Sequence, residues 1–159
     1  MKLENRRYLS GTLADLCKAP LRALIEEKAV DVAIPVPVSR KRYRERGFNQ
    51  VEELLRDMRI TYATIEKIRD TKHMYELLDE EDRRKNIRDA FESRLTLTGK
   101  TVLLVDDIVT TGHTTEEIIK ELQKDQRPKA VYVFSVALSK VFDKMRQREK
   151  TGDHEAKLL

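Results

Sequence analysis

A run of consecutive apolar residues that ends in two carboxylates most limits the folds open to this chain of 159 residues. Thr101–Val105 reads TVLLV, and a strand that is apolar at nearly every position is typical of a parallel sheet covered on both faces. A second such run, Ala130–Leu138, follows a helix predicted over Thr114–Lys124. The capping-box spacing of Thr114 and Glu117 places the start of that helix. This alternation predicts an α/β fold with a mainly parallel sheet flanked by helices.

Weaker patterns complete the outline of the fold. Apolar residues at helical spacing predict helices over Ser10–Lys28 and Phe48–Arg59. Val30–Val38 is β-branched and apolar, and it predicts a strand that must end at its prolines, because proline cannot donate to a central ladder. A weak strand is expected over Ala63–Arg69 and a charged helix over Asp79–Arg88. At this length a single domain is the expectation.

Composition excludes several classes of protein. The sequence has no run of about 18 apolar residues and no signal-like N-terminal segment, so we expect a cytoplasmic protein without a membrane span. Cys17 is the single cysteine, which excludes an internal disulfide and a cysteine-cluster zinc site. The net charge of +4 is too small to indicate nucleic acid by itself.

Positive charge is concentrated in one segment. Ser39–Gln50 reads SRKRYRERGFNQ and holds five basic side chains and one acidic side chain. A local basic patch of this kind predicts an anionic ligand, which could be phosphate, pyrophosphate or a nucleic-acid backbone. A solvated basic loop is the alternative interpretation.

The segment that follows TVLLV has the residues for binding a sugar phosphate. In open α/β sheets, ligands bind outside the carboxyl ends of the strands. Asp106 and Asp107 come first there, and a hydroxyl-rich turn containing Gly112 then runs into a helix N-terminus. The free amides of such a turn form a nest for a phosphate dianion. Hydroxyl donors for the same phosphate are available from Thr110, Thr111 and Thr114.

The two carboxylates need an explanation, because they would repel a phosphate. Two unit charges about 4 Å apart interact by roughly 4 kcal/mol at an effective dielectric constant near 20. Carboxylates suit this place if they accept hydrogen bonds from a diol and lie near a hard cation. Ribose 5-phosphate satisfies both requirements. The motifs GxxxxGK[ST] and GxGxxG are absent, which argues against nucleoside triphosphates and dinucleotides. For the acidic pair alone, a solvated strand end is the alternative.

These motifs resemble those of a known family. VLLVDDIVTTGHTT is similar to the phosphoribosyl pyrophosphate (PRPP) signature of type I phosphoribosyltransferases. IPVPVSRKRYRERGFNQ resembles a block of the ComF family, whose members are associated with competence, and the residues from Asp82–Asn86 through Ala90–Phe91 resemble another. The resemblance covers Val30–Leu138. It implies a type I phosphoribosyltransferase fold as a single domain over residues 1–159, with a small mobile hood at about 70–97 and a charged tail at about 139–159.

The resemblance also implies roles for individual residues. Asp106 and Asp107 would be the catalytic pair, holding the ribose diol close to the cofactor Mg²⁺ with direct or indirect contact. The 5-phosphate would be enclosed by Thr110, Thr111, Gly112, His113 and Thr114. Pyrophosphate would face Val38, Ser39, Arg40, Lys41 and Arg46. We expect the His113 side chain to face solvent while its amide serves the phosphate. An ion pair of Arg46 with Glu45 or Glu52 is the alternative for that side chain.

A family member of this kind would displace pyrophosphate from PRPP with a nitrogen acceptor. Thr110 stands where purine-salvage relatives have an aspartate base, and Met74 and Tyr75 stand near the place of a usual glutamine, so the acceptor stays open. The alternative is a non-catalytic component of DNA uptake that binds PRPP or single-stranded DNA beside a helicase-like partner. The oligomeric state is also open, and a homo-oligomer is one alternative.

Overall fold

The computed structural model describes residues 2–69, 80–109, 111–124 and 127–138. The predicted tail and residues 70–79 of the predicted hood lie outside this range. Five helices and five strands occur in the described residues. In chain order they are α1 (Lys2–Glu27), β1 (Val32–Pro35), α2 (Arg40–Arg46), α3 (Gln50–Asp57), β2 (Glu66–Lys67), α4 (Glu80–Ile87), β3 (Phe91–Glu92), β4 (Thr101–Val109), α5 (His113–Lys124) and β5 (Ala130–Leu138).

The main sheet has three parallel strands in the order β1-β4-β5. Val32 pairs with Val102 at the start of β1, and β4 stays in register with β5 from Thr101 through Val109. The chain at Thr61–Ala63 runs parallel to the free edge of β1 through an isolated bridge. The predicted α/β fold with a parallel sheet flanked by helices is therefore confirmed.

Strand β4 is buried on both of its faces, as its sequence predicts. Leu103 and Val105 pack against α1 and α3 on one side of the sheet, where Leu21 and Leu55 are fully buried. The alternate residues of β4 face the other side, because successive side chains of a strand point in opposite directions. There Val102 and Leu104 pack with residues from β1, β3, β5 and α5. The strand therefore lies at the centre of the core.

Several predicted boundaries differ from the structure. Helix α1 extends from Lys2, with Pro20 inside it. The predicted strand over Ala63–Arg69 is reduced to β2, which pairs with β3 in a two-stranded antiparallel sheet. The basic segment after β1, for which no helix was predicted, forms helix α2. Among the described helices, none combines the length and the apolar character needed to cross a membrane.

Candidate active site

The carboxyl ends of β1 and β4 bring the two predicted ligand segments to one edge of the sheet. Beyond β1, the Val36 amide donates to the Val105 carbonyl at 2.8 Å. This bond holds Val36, where the segment leading to α2 starts, beside Val105, which directly precedes Asp106. The structure therefore places the chain leading to the basic segment next to the acidic pair, as expected for adjacent parallel strands.

The acidic pair lies inside β4 rather than after it. The strand was predicted over Thr101–Val105, but it continues to Val109 because β5 is long enough to pair with the added residues. Asp106 is in register with Ser135, and Ile108 with Ala137. The added pairing fixes the backbone at both carboxylates. They are therefore held by a strand, which is more rigid than the loop that the sequence suggested.

Asp106 lies in a site that disfavours its charge. It is 8% exposed, and burial is the largest of the causes that raise its pKa from 3.8 to about 7. The negative charge of Asp107 and a hydrogen bond between the two side chains raise the pKa of Asp106 further, while the amides of Asp107 and Ile108 oppose the shift. Asp107 is half-buried, and its Oδ1 accepts from the Ile108 amide at 2.8 Å. The pair is therefore ready for a ligand that donates hydrogen bonds or brings positive charge.

The turn after β4 leads directly into α5. Gly112 has a φ of 85°, which favours glycine, and its carbonyl accepts the Glu116 amide at 2.9 Å. Gly112 is thus the N-cap of α5, and Thr114 lies inside the helix. The capping-box prediction for Thr114 and Glu117 is wrong by two residues. The first helical amides have no carbonyl of their own helix to bond.

The threonines of this turn are placed as follows. Thr111 and Thr114 are half-buried, and Gly112 lies between them in the chain. Thr110 lies outside the described residues. The predicted phosphate nest is therefore described from Thr111 onwards, and its binding role stays a prediction.

The prediction for the His113 side chain is wrong. We expected it to face solvent, but it is only 3% exposed. It lines a groove of about 690 Å³ between α4 and α5, where Nδ1 lies 3.6 Å from Glu116 Oε2. That separation is too long for a hydrogen bond. Neither ring nitrogen has a hydrogen-bond partner among the described residues, and the same holds for the Thr115 hydroxyl. Packing against the α4 region, which is distant in sequence, explains why the local pattern did not predict this burial.

The basic segment is a helix with a cap at each end. The Ser39 Oγ accepts from the Arg42 amide at 3.2 Å, and Gly47 ends the helix with a φ of 82°. Val38 and Ser39 are half-buried, whereas Arg40 and Lys41 are exposed. The structure thus places these four of the predicted pyrophosphate residues just beyond the carboxyl end of β1.

Helix α2 presents cations that carry no counter-charge within the described part of the chain. None of its five basic side chains forms an ion pair with a described residue. Arg46 is half-buried and donates to the neutral Gln50 side chain at 3.1 Å, so the alternative of an ion pair with Glu45 or Glu52 is not observed. Tyr43 is 51% exposed on the same helix. This arrangement suits an anionic ligand.

Sequence reasoning missed the role of Asn49. Its Oδ1 caps α3 by accepting the Val51 amide at 3.0 Å, and its Nδ2 donates to the Val36 carbonyl at 3.0 Å. Asn49 is 3% exposed. The residue therefore ties the segment after β1 to the start of α3. The signal was present in the sequence, because asparagine directly before an apolar helical pattern is a common N-cap.

The acidic pair fits a divalent cation that is completed by its ligand. Carboxylate oxygens are the donors that Mg²⁺ prefers, and Mg²⁺ is commonly held by one or two carboxylates together with substrate oxygens and water. No group of three or more His, Cys, Asp or Glu residues that could hold a metal occurs within the described ranges. Asp106 and Asp107 therefore suit a cation that arrives with its substrate better than a permanent metal centre.

Comparisons with known proteins agree with this geometry. A family model described as "Phosphoribosyl transferase domain" matches residues 36–158. Competence protein F of Haemophilus influenzae is 33% identical over 135 residues, which cover 77% of this chain and 58% of that protein. DNA utilization protein YhgH of Salmonella typhimurium is 32% identical over 136 residues, which cover 79% and 59%. The chain thus spans little more than half the length of these curated relatives. Their similarity confirms the predicted resemblance to the ComF family.

Solved structures support the same fold. The purine phosphoribosyltransferase from Pyrococcus horikoshii superposes with a TM-score of 0.53 at 21% sequence identity, covering 81% of this chain and 75% of that chain. At this identity the likeness concerns the fold alone. The matched family model covers most of the chain, including both ligand segments at the carboxyl ends of β1 and β4. The chain belongs to the phosphoribosyl transferase domain family.

Proposed function

We propose that this protein binds PRPP with Mg²⁺ and displaces its pyrophosphate with a nitrogen acceptor. The observation that carries the proposal is the acidic pair of the buried Asp106 and the half-buried Asp107 beside a glycine turn that opens a helix. After the neighbouring strand comes a basic helix that forms no ion pair with a described residue. These three features match the diol, the 5-phosphate and the pyrophosphate of one ligand.

The sugar end would be held by β4 and the turn that follows it. Asp106 and Asp107 accept hydrogen bonds from the two ribose hydroxyls. The amides around Gly112 and the hydroxyls of Thr111 and Thr114 hold the 5-phosphate, and Thr110 is proposed for the same role. Two fixed ends orient the ribose, which brings its C1 atom to a defined place.

The pyrophosphate would be held at the N-terminal end of α2. Its charge is met there by Arg40 and Lys41, and Val38 and Ser39 supply backbone close to it. Arg46, at the last position of α2, is proposed as a further cation that reaches toward it. During transfer the bond from C1 to the pyrophosphate oxygen breaks, and a bond from C1 to the acceptor nitrogen forms. The basic side chains stabilise the charge that grows on the leaving group.

A bound Mg²⁺ would neutralise pyrophosphate charge and polarise the bond that breaks. Asp106 and Asp107 are the residues that would hold it, directly or through water. Their position in a paired strand keeps both carboxyl groups at a fixed place before ligand arrives.

The proposal is tested by pyrophosphate release from Mg²⁺–PRPP with a panel of nucleobases and amines. We expect release with at least one acceptor, and we expect none from a D106N/D107N variant. A wild-type protein that binds PRPP tightly and turns over no acceptor would contradict the catalytic part and leave a binding protein.

A second candidate function is binding of single-stranded DNA at α2. It is favoured by one observation, the five cations without ion pairs among described residues that surround the exposed Tyr43. Such a surface can follow a phosphate backbone while its aromatic ring stacks on a base. The names of the relatives, a competence protein and a DNA utilization protein, agree with this candidate.

Salt dependence separates the two candidates. DNA held by several phosphate contacts should lose affinity steeply between about 50 and 200 mM salt, and replacing Arg42 and Arg44 by Gln should reduce the slope. The matched control replaces Lys124 and Lys129 by Gln, because both are exposed and form no ion pair with a described residue. DNA affinity that ignores salt, or that depends equally on both pairs, would contradict binding at α2.

A further inference from the structure

Helix α5 carries the phosphate turn at its N-terminus and two glutamates along its side. Glu117 and Glu121 are four positions apart, so they lie on the same face of the helix. The Asp89 amide donates to Glu117 Oε1 at 3.0 Å, and the Ser93 amide donates to Glu121 Oε1 at 3.1 Å. Asp89 precedes β3 and Ser93 directly follows it, so one helix face holds the chain on both sides of this short strand.

The held segment has an unusual backbone. Asp89 has a φ of 50°, a left-handed conformation that a residue with a side chain rarely adopts. Between the two bonded amides, Ala90 and Phe91 are buried in the core. The Glu117 side chain is 14% exposed, whereas Asp89, whose amide it accepts, lies at the surface. Hydrogen bonds to charged acceptors are stronger than neutral ones, so these two bonds are well suited to fixing a strained connection.

The same segment is anchored from its other side. Arg69, just after β2, donates from Nη2 to the Asn86 carbonyl at 3.2 Å, the Lys85 carbonyl at 3.4 Å and the Arg88 carbonyl. Two of these carbonyls lie in the last turn of α4, and the third belongs to Arg88, which directly follows the helix. The chain from the end of α4 to Ser93 is therefore held by a cation near β2 and by two carboxylates of α5.

We infer that Glu117 and Glu121 are positioning residues for the phosphate turn. By fixing α5 to the segment from Asp89 to Ser93, they set the place of the helix whose first amides face the phosphate. That phosphate is the ligand rests on the proposed function. The two hydrogen bonds of Glu117 and Glu121 hold α5, and with it the turn at its N-terminus, whether or not a ligand is bound. Linkage is reciprocal, so losing the contacts weakens phosphate binding, and phosphate binding strengthens the contacts.

The test compares three variants of the whole chain. E117A/E121A removes both acceptors. E117Q/E121Q removes both charges but keeps an oxygen at each position, so it isolates hydrogen bonding from charge. Q123A, on an exposed position of the same helix, is the control. Amide hydrogen exchange is measured at Asp89, at Ser93 and at Glu116, whose bond to Gly112 is the first of α5. The affinity of each protein for ribose 5-phosphate is measured as well.

We expect E117A/E121A to exchange at least about tenfold faster at Asp89 and Ser93, with faster exchange at Glu116 as well. Exchange in the centre of β4 should not change, which verifies that the variant is folded. Ribose 5-phosphate affinity should fall about fivefold or more, the usual lower range of coupling between sites. The glutamine variant should retain most of the protection and affinity, and Q123A should match the wild type. If E117A/E121A fails to fold, the single variants E117A and E121A give the same comparison.

Unchanged exchange at Glu116 in the alanine variant would overturn the positioning role, whatever the ligand does. A glutamine variant as impaired as the alanine variant would overturn the role of the hydrogen bonds. A wild type that binds no ribose 5-phosphate, but shows the expected exchange, would contradict the proposed function and leave the positioning role standing.

Discussion

The two halves of the candidate site are built in opposite ways. The half formed by β4 and the start of α5 is buried, and it contains a carboxyl group with a raised pKa and two side chains without described hydrogen-bond partners, His113 and Thr115. The half formed by α2 is exposed, capped at both ends and positively charged. Burial makes the first half costly to fold without a ligand, whereas water screens the charges of the second half.

Because of this difference, groups that suit ligand binding reduce stability in one half of the site and not in the other. In the β4 half, groups placed for a ligand lower the free energy of unfolding of the empty protein. In the α2 half, basic side chains placed for a ligand hardly change the free energy of unfolding, since exposed charges contribute little to stability. Substitutions in the first half should therefore trade ligand binding against stability, and substitutions in the second should not.

The largest expected effect is that of Asp106→Asn at about pH 8. The raised pKa means that the folded state holds the proton of Asp106 more tightly than the unfolded state. Stability is therefore fully present below the ordinary pKa near 4 and falls as pH rises toward the folded pKa of about 7. Removing the charge should raise the free energy of unfolding by about 2–4 kcal/mol. Urea unfolding measures the gain, which should vanish near pH 4, and a gain independent of pH would contradict this cause.

Next in size is Asn49→Ala, at the junction of the two halves. The variant loses the cap of α3 and leaves the buried Val36 carbonyl without its donor, so we expect destabilisation by about 2–3 kcal/mol. The matched variant Ser39→Ala removes a more exposed cap from α2 and should lose only about 1 kcal/mol. Equal losses from the two caps would show that the bond to Val36 contributes nothing.

A smaller gain is expected when buried polar groups of the β4 half are replaced by apolar ones of similar shape. His113→Leu and Thr115→Val each remove atoms that lack hydrogen-bond partners among the described residues. Each should raise the free energy of unfolding by about 1–2 kcal/mol. Thermal unfolding measures the effect, and destabilisation by either variant would indicate that its polar group is satisfied in the folded protein.

The smallest effect on stability belongs to Arg40→Gln and Lys41→Gln. Each should change the free energy of unfolding by less than about 0.5 kcal/mol, because the side chains are exposed and form no described ion pair. Each should also weaken pyrophosphate binding about tenfold, as expected for the loss of a charged hydrogen bond. Titration calorimetry measures the affinity, with Lys124→Gln on α5 as the control. Unchanged affinity would remove α2 from the site.

The elements that the sequence predicts best are those whose pattern is local. Thr101–Val105 and Ala130–Leu138 are apolar at nearly every position, which predicts two strands of a parallel sheet, and both strands are observed. The central strand β4 is buried over Thr101–Val105, whereas β5 lies at the edge of the three-stranded sheet and is mostly half-buried over its first seven residues. Helix α2 escaped prediction because it has no apolar face, although Ser39 and Gly47 are typical residues for its two ends. The lesson is that caps can reveal a short helix where periodicity cannot.

The parts of the site that could not be predicted depend on contacts distant in sequence. The raised pKa of Asp106 arises mainly from its burial, to which the negative charge of Asp107 adds. The burial of His113 depends on the region around α4, and the bond from Asn49 to Val36 spans 13 residues. Sequence motifs thus supplied the candidate residues of the site, and tertiary packing determined how deeply each is buried.

The most direct test of a PRPP site at the acidic pair is the stabilisation that Mg²⁺–PRPP gives to the wild type and to a D106N/D107N variant. At a ligand concentration about a hundredfold above the dissociation constant, binding should raise the free energy of unfolding of the wild type by about 2.7 kcal/mol. We expect no such increase in the free energy of unfolding for the folded double variant. Equal increments in both proteins would contradict the assignment of the ligand to Asp106 and Asp107.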